Sequence, residues 1–235
     1  GFGPGCRKNA VVGCMIEDIG GNGVMIGWRG TGKLASGGWG SDWADPADVP
    51  VSNEVANCHI RRCAVDSRGG VGIWTAFAAD TRIAHNLVHD LPYTGISVGF
   101  RWDTSPSSQQ RCVVEYNHIY DVMKQLADGG GIYTLGFQPG SILRGNRIHD
   151  VRRSEYAHGG AANNGFFVDN GSKGFIFESN FVYRASGGAV RHNDNPSDGH
   201  TWRQNAFATE PLLVAHDASL EPRELKLVAK VLLID

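Results

Sequence analysis

A short asparagine-led motif returns along this chain at nearly even intervals, and that regularity restricts the fold more than any other feature. The copies are Asn57-Cys58-His59-Ile60, Asn86-Leu87-Val88-His89-Asp90, Asn117-His118-Ile119-Tyr120-Asp121, Asn146-Arg147-Ile148-His149-Asp150 and Asn180-Phe181-Val182-Tyr183. Their asparagines stand 29, 31, 29 and 34 residues apart, and Asn205 adds a weaker sixth after 25. Cys14-Met15-Ile16-Glu17-Asp18 reads as an earlier copy without the asparagine. A second piece follows at a variable offset, as in Gly72-Ile73-Trp74-Thr75, Gly95-Ile96-Ser97-Val98, Gly131-Ile132-Tyr133-Thr134 and Gly165-Phe166-Phe167-Val168. A third closes several units, as in Thr81-Arg82-Ile83-Ala84-His85.

Each unit is therefore three short strands joined by turns, with no stretch of helical period. Such strands satisfy their backbones only by pairing with the coil above and below, about 4.8 Å away. The prediction is an all-β chain, a right-handed parallel β-helix (a solenoid), with the asparagines stacked at one turn. A propeller blade needs about 40 residues, which the period does not reach. Coils are expected over 1–208 with an insertion at 29–52, and 209–235 should cap the open end as a strand or a helix. The opening Gly1-Phe2-Gly3-Pro4-Gly5 reads as the middle of something, so the chain is expected to be a fragment or a processed piece.

Composition excludes several roles. Among 235 residues there are 32 glycines, which suit turns, and enough Val, Ile, Phe and Trp to fill a core. The formal charge is −2 with no basic stripe, which argues against nucleic acid. No apolar run is long enough to span a membrane. The five cysteines form no CxxC pair and read as small buried hydrophobes. The acids at 42–48 and 194–198 lack a calcium-loop spacing, so neither a metal nor a cofactor is expected. His89 and His149 fall where other units place Tyr120 and Tyr183, which marks a packing position.

Function on a solenoid is sought where the repeat is lengthened. Three such places are 29–52, 152–164 (with Glu155, Tyr156 and His158) and 192–200 (with His192, Asp194, Asp198 and His200). Alternation puts Ile73, Ile96, Ile132, Phe166 and Ala189 inward, and Trp74, Ser97, Tyr133, Phe167 and Val190 outward. Two residues on, Ala76, Gly99, Leu135, Asp169 and His192 also face out. Aromatic rings beside a carboxylate suit a sugar. Asp128, before Gly129-Gly130-Gly131, and Asp103, after Arg101-Trp102, are further acids on that side.

Tyr93-Thr94-Gly95-Ile96-Ser97-Val98-Gly99, then Asp128-Gly129-Gly130-Gly131-Ile132-Tyr133-Thr134-Leu135-Gly136 with Gln138-Pro139-Gly140, resemble the β-helix of glycoside hydrolase family 141. Phe167-Val168-Asp169-Asn170-Gly171-Ser172 is similar to that family's Asp-Glu-Gly-Ser segment, with Asn170 where the family often has Glu. The likeness runs over roughly 55–207. It implies hydrolysis of plant cell-wall polysaccharide, an α-L-fucoside or xylan, by an extracellular or periplasmic protein, and, since family members carry more β-helix upstream, a chain that is the C-terminal part of a longer helix; a monomer is expected. The family's proposed catalytic aspartates fall on Asp128 and Asp169. Substrate contacts are expected from Trp74, Arg101, Trp102, Asp103, Tyr133, Glu155, His158, Phe167 and His192.

One aspartate would protonate the leaving oxygen while the other attacks or activates water. Read along extended strands, the two lie about 23 Å apart, so either the triple glycine folds back or the strand register differs from this alignment. A polysaccharide lyase on the same fold and a non-catalytic glycan-binding solenoid remain the alternatives.

Overall fold

The computed structural model describes residues 1–28, 40–157 and 159–209, and the backbone of 214–215, 226–227 and 232–234. Three sheets run the length of the molecule, and almost every pairing is parallel, which makes it a right-handed parallel β-helix. The first sheet stacks Ala10–Val12, Glu54–Ala56, Arg82–Ala84, Val113–Glu115, Ile142–Arg144, Ile176–Glu178 and Thr201–Arg203. The second stacks Met15–Ile19, His59–Cys63, Leu87–His89, His118–Val122, Arg147–Val151, Phe181–Ala185 and Asn205–Ala208. The third stacks Val24–Gly27, Ile73–Ala76, Ile96–Val98, Gly130–Thr134, Asn164–Val168 and Val190–His192. Each of the first six coils contributes one strand to each sheet, and Thr201–Arg203 and Asn205–Ala208 begin a seventh.

Inward columns of β-branched and aromatic residues fill the lumen. Val55, Ile83, Val114, Leu143 and Phe177 line the first sheet; Ile60, Val88, Ile119, Ile148 and Val182 line the second. Ile73, Ile96, Ile132 and Phe166 line the third, and all of these are inaccessible to solvent. A glycine next to the first inward residue in five of the six third-sheet strands is what lets that column close. A Cβ on Gly131 would lie 2.3 Å from Ile148 Cγ2, and one on Gly165 2.3 Å from Val182 Cγ1. No side chain fits there.

The corner between the first and second sheets holds the asparagine ladder. Asn86, Asn117, Asn146, Asn180 and Asn205 are buried, and each from Asn117 onward accepts from the backbone N–H of the asparagine one coil below. Asn146 shows the full pattern. Its Oδ1 accepts from Asn117 N and Nδ2, and its Nδ2 donates to Val114 O and to Asn180 Oδ1. Asn57 is not in the ladder. It is exposed at φ 53, in the left-handed column with His85, Tyr116, Gly145 and Ser179, and Cys58 occupies the ladder slot, donating to Asn86 Oδ1. Asparagine tolerates the left-handed region better than most residues, so the same residue type serves two jobs one position apart.

On the outside of the second sheet, His89, Tyr120, His149 and Tyr183 stack ring on ring at 4.6–5.2 Å. These histidines pack, as expected for a position shared with tyrosine. Leu232–Ile234 pairs antiparallel with Asn205–Ala208, so within the tail it is a strand that covers the last edge of this sheet.

Candidate functional site

The outward column of the third sheet changes character from coil to coil: Met25, Trp74, Ser97, Tyr133, Phe167, Arg191. The expected register fails in the last coil. Val190, not Ala189, pairs with Phe166, and His192 pairs with Val168. A slip of one residue reverses the face of every side chain. His192 therefore points into the lumen, near His200 and Trp202, and is no part of the outer face. Its place beyond the strand goes to Asn193.

Asp169 follows Asn164–Val168 and is 5% exposed. The Tyr133 hydroxyl donates to its Oδ2, Asn193 Nδ2 donates to its Oδ1 at 2.9 Å, and Asn195 Nδ2 donates to its carbonyl. Both asparagines belong to the lengthened 192–200 segment. Asp128 sits at the other end of the neighbouring strand, exposed, with φ 67. Its backbone carbonyl accepts from the Tyr93 hydroxyl at 2.7 Å, and its Oδ1 accepts from Ala161 N at 3.2 Å. Ala161 belongs to the lengthened 152–164 segment. Two interruptions of the repeat thus come to rest on the two aspartates.

The triple glycine does not fold back. Gly130 and Gly131 enter the strand directly, and Gly130 pairs with Asn164. The strand-length offset persists, and tyrosines occupy the ground between. Burial, with Asp128 and Asp169 adding their charges, pushes the Tyr93 phenol well above its ordinary value. Tyr133 is pushed further still, by burial first, then by the charge and hydrogen bond of Asp169, with smaller contributions from Tyr93 and Asp128. Both phenols stay protonated donors, and both feel both carboxylates.

A cavity of about 430 Å³ opens over this face between the first and fourth coils. Trp74, Tyr93, Ser97, Phe100, Trp102 and Tyr133 contribute to its wall, and among the described residues none that lines it carries a charge. Of the expected contacts, Trp74, Trp102 and Tyr133 are there. Phe167 faces outward but is fully buried, stacked on Tyr133 at 5.2 Å with the Arg191 guanidinium above it, so it supports Tyr133 and offers no surface. Glu155 is exposed on the 152–164 segment, away from the lining, and His158 lies outside the described residues. Arg101 and Asp103 pair at 2.8 Å. Burial opposes ionisation of Asp103, but hydrogen bonds from Arg101 and Ser105 prevail and hold it at about 2. The Asp103 backbone packs on Gly171, where an added Cβ would come within 2.4 Å of it. That places Asp103 at the same end of the sheet as Asp169.

Sequence reasoning missed Tyr93, Phe100, Asn193 and Asn195. Tyr93 opens the Tyr93-Thr94-Gly95 segment and had a visible signal; the asparagines were hidden by the register slip.

The family model for the right-handed β-helix region matches residues 5–182. No curated protein matches the sequence. A solved structure titled "Glycoside hydrolase" superposes with a TM-score of 0.71 at 26% sequence identity, covering 84% of this chain. This chain spans 32% of that one.

Proposed function

We propose that this chain, which belongs to the right-handed β-helix family, carries the sugar-cleaving face of a glycoside hydrolase. The observation that carries the reading is Asp169, a 5%-exposed carboxylate whose two oxygens are fixed by Tyr133 and Asn193 beside an uncharged aromatic cavity. The neighbour titled glycoside hydrolase supports it at the level of reaction class.

Asp169, with both oxygens already accepting hydrogen bonds, acts as the base. It removes a proton from the water that attacks the anomeric carbon, while Asp128 protonates the glycosidic oxygen as the carbon–oxygen bond breaks. A strand-length offset exceeds both carboxyl spacings, roughly 5 Å with retention and about 6.5–9.5 Å with inversion, and so does not choose between them. One observation favours a second pairing: the Asp103 backbone touches Gly171, two residues past Asp169. The resemblance to family 141 narrows the substrate to a plant cell-wall glycan, an α-L-fucoside or xylan, met outside the cell or in the periplasm.

Asp128→Asn, Asp169→Asn and Asp103→Asn, assayed on aryl α-L-fucosides and xylan, test this. Loss of hydrolysis in Asp169→Asn and in one of the other two, with the fold intact, supports the reading and identifies the acid. Unsaturated, ultraviolet-absorbing products would instead make the protein a lyase, and glycan binding without turnover would make it a binding solenoid.

A further inference from the structure

Ser97 is the one small residue in a run of rings. Its outward column reads Trp74, Ser97, Tyr133, Phe167 on four successive coils. Tyr133 and Phe167 are parallel to within 5°, so one face of the Tyr133 ring is already covered. The other face looks back across the Ser97 coil towards Trp74. Two coil spacings separate the backbones of Trp74 and Tyr133, about 9.6 Å at about 4.8 Å each, and the Trp74 indole leans over the Ser97 coil, its Nε1 donating to Gly99 O at 3.3 Å and its ring meeting Phe100 edge-on at 5.3 Å. Two van der Waals contacts of about 4 Å within that span admit at most a single flat ring. Trp74, Ser97 and Tyr133 all line the cavity, with Phe100, Trp102 and Val71 around them.

We propose that the gap above Ser97, between Tyr133 and Trp74, is a binding slot for one neutral sugar ring. This rests on the hydrolase reading for its place beside Asp169 and refines what that site accepts. An aromatic wall takes up the C–H faces of a pyranose. A uronate would bring a carboxylate into a wall whose described residues include no Lys, Arg or His to pair it, and burying an unpaired charge is costly. The slot therefore selects neutral residues and rejects galacturonate. Tyr133 joins the two parts of the site, since its face lines the slot while its hydroxyl holds Asp169.

The test fills the gap. Ser97→Phe continues the ring column, so the coil stack should stay intact by circular dichroism and thermal melting. Binding is read by tryptophan fluorescence with a neutral xylo-oligosaccharide and a fucosylated oligosaccharide, against oligogalacturonate, in the wild type, Ser97→Phe and the non-hydrolysing Asp169→Asn. The expected result is neutral-sugar binding in the wild type and in Asp169→Asn, about tenfold or more weaker in Ser97→Phe, with no oligogalacturonate bound by any of them. If Ser97→Phe does not fold, Trp74→Ala removes one wall and should weaken binding in the same way. Unchanged binding and KM in a folded Ser97→Phe would overturn the slot and leave the hydrolase reading standing. Preference for oligogalacturonate would also overturn it. Neutral-sugar binding lost in Ser97→Phe, with no hydrolysis by the wild type, would keep the slot and remove the hydrolase reading.

Discussion

The corner between the first and second sheets and the outer face of the third sheet are built from the same coils on opposite rules. At the corner, coil after coil supplies the same group at the same height: an asparagine that bonds up, down and to the chain beside it. On the outer face no two coils supply the same group, and the column runs through Met25, Trp74, Ser97, Tyr133, Phe167 and Arg191. A ladder works by identity, because each member satisfies its neighbour's buried polar atoms. A binding face works by difference, because a ligand needs a gap, a wall and an acid in distinct places. Extra chain goes to the second kind of surface: 152–164 reaches Asp128 and 192–200 reaches Asp169.

The sharpest separation of the two regions comes from Asp169→Asn. It should lower kcat about a thousandfold, near 4 kcal/mol of transition-state stabilisation, while the urea midpoint stays close to that of the wild type. A matching collapse in stability would mean that Asp169 is a structural residue. The converse change is Asn146→Ala. It strips partners from Asn117 N, Asn117 Nδ2, Val114 O and Asn180 Oδ1, and should cost about 3 kcal/mol in equilibrium unfolding. Surviving molecules should retain an unchanged kcat.

Acid should weaken the ladder side of the molecule in mildly acidic solution. Burial, with His149 next, lowers His118 from 6.5 to about 4, so the folded state prefers its neutral ring. The unfolded state then binds more protons between those values, and stability rises with pH. The contribution is complete above about 6.5 and fades as pH drops towards 4. Urea titrations at pH 7 and pH 5 should show the midpoint falling, and His118→Leu should flatten that slope. The smallest effect belongs to Asn57→Ala. Asn57 lies one residue from the ladder slot but is exposed in a left-handed turn, so the loss should stay near 1 kcal/mol, from backbone strain alone. A cost equal to that of Asn146→Ala would return Asn57 to the ladder.

Repetition made the coils readable. The three-strand unit, the inward isoleucine column and the ladder from Asn86 to Asn205 all follow from spacing, because a stacked coil must repeat what it buries. Legibility ended where repetition did. Gly188-Ala189-Val190 has the form of the earlier glycine-led strands but enters one residue later, and that step turned His192 into the lumen and hid Asn193. The burial of Phe167 was illegible for another reason: its cover comes from Tyr133 of one coil and Arg191 of another.

The amino-acid order alone determined that this chain winds, how many residues each turn takes, and which side chains fill the lumen of the regular coils, because hydrogen bonding between coils tolerates only a regular pattern. Whether two aspartates 41 positions apart share a pair of phenols, and whether Ser97 leaves a ring-sized gap, were decided only by the stacked coils. Those relations depend on which residues meet across separate turns and on where the inserted segments come to rest, and no single strand carries that information.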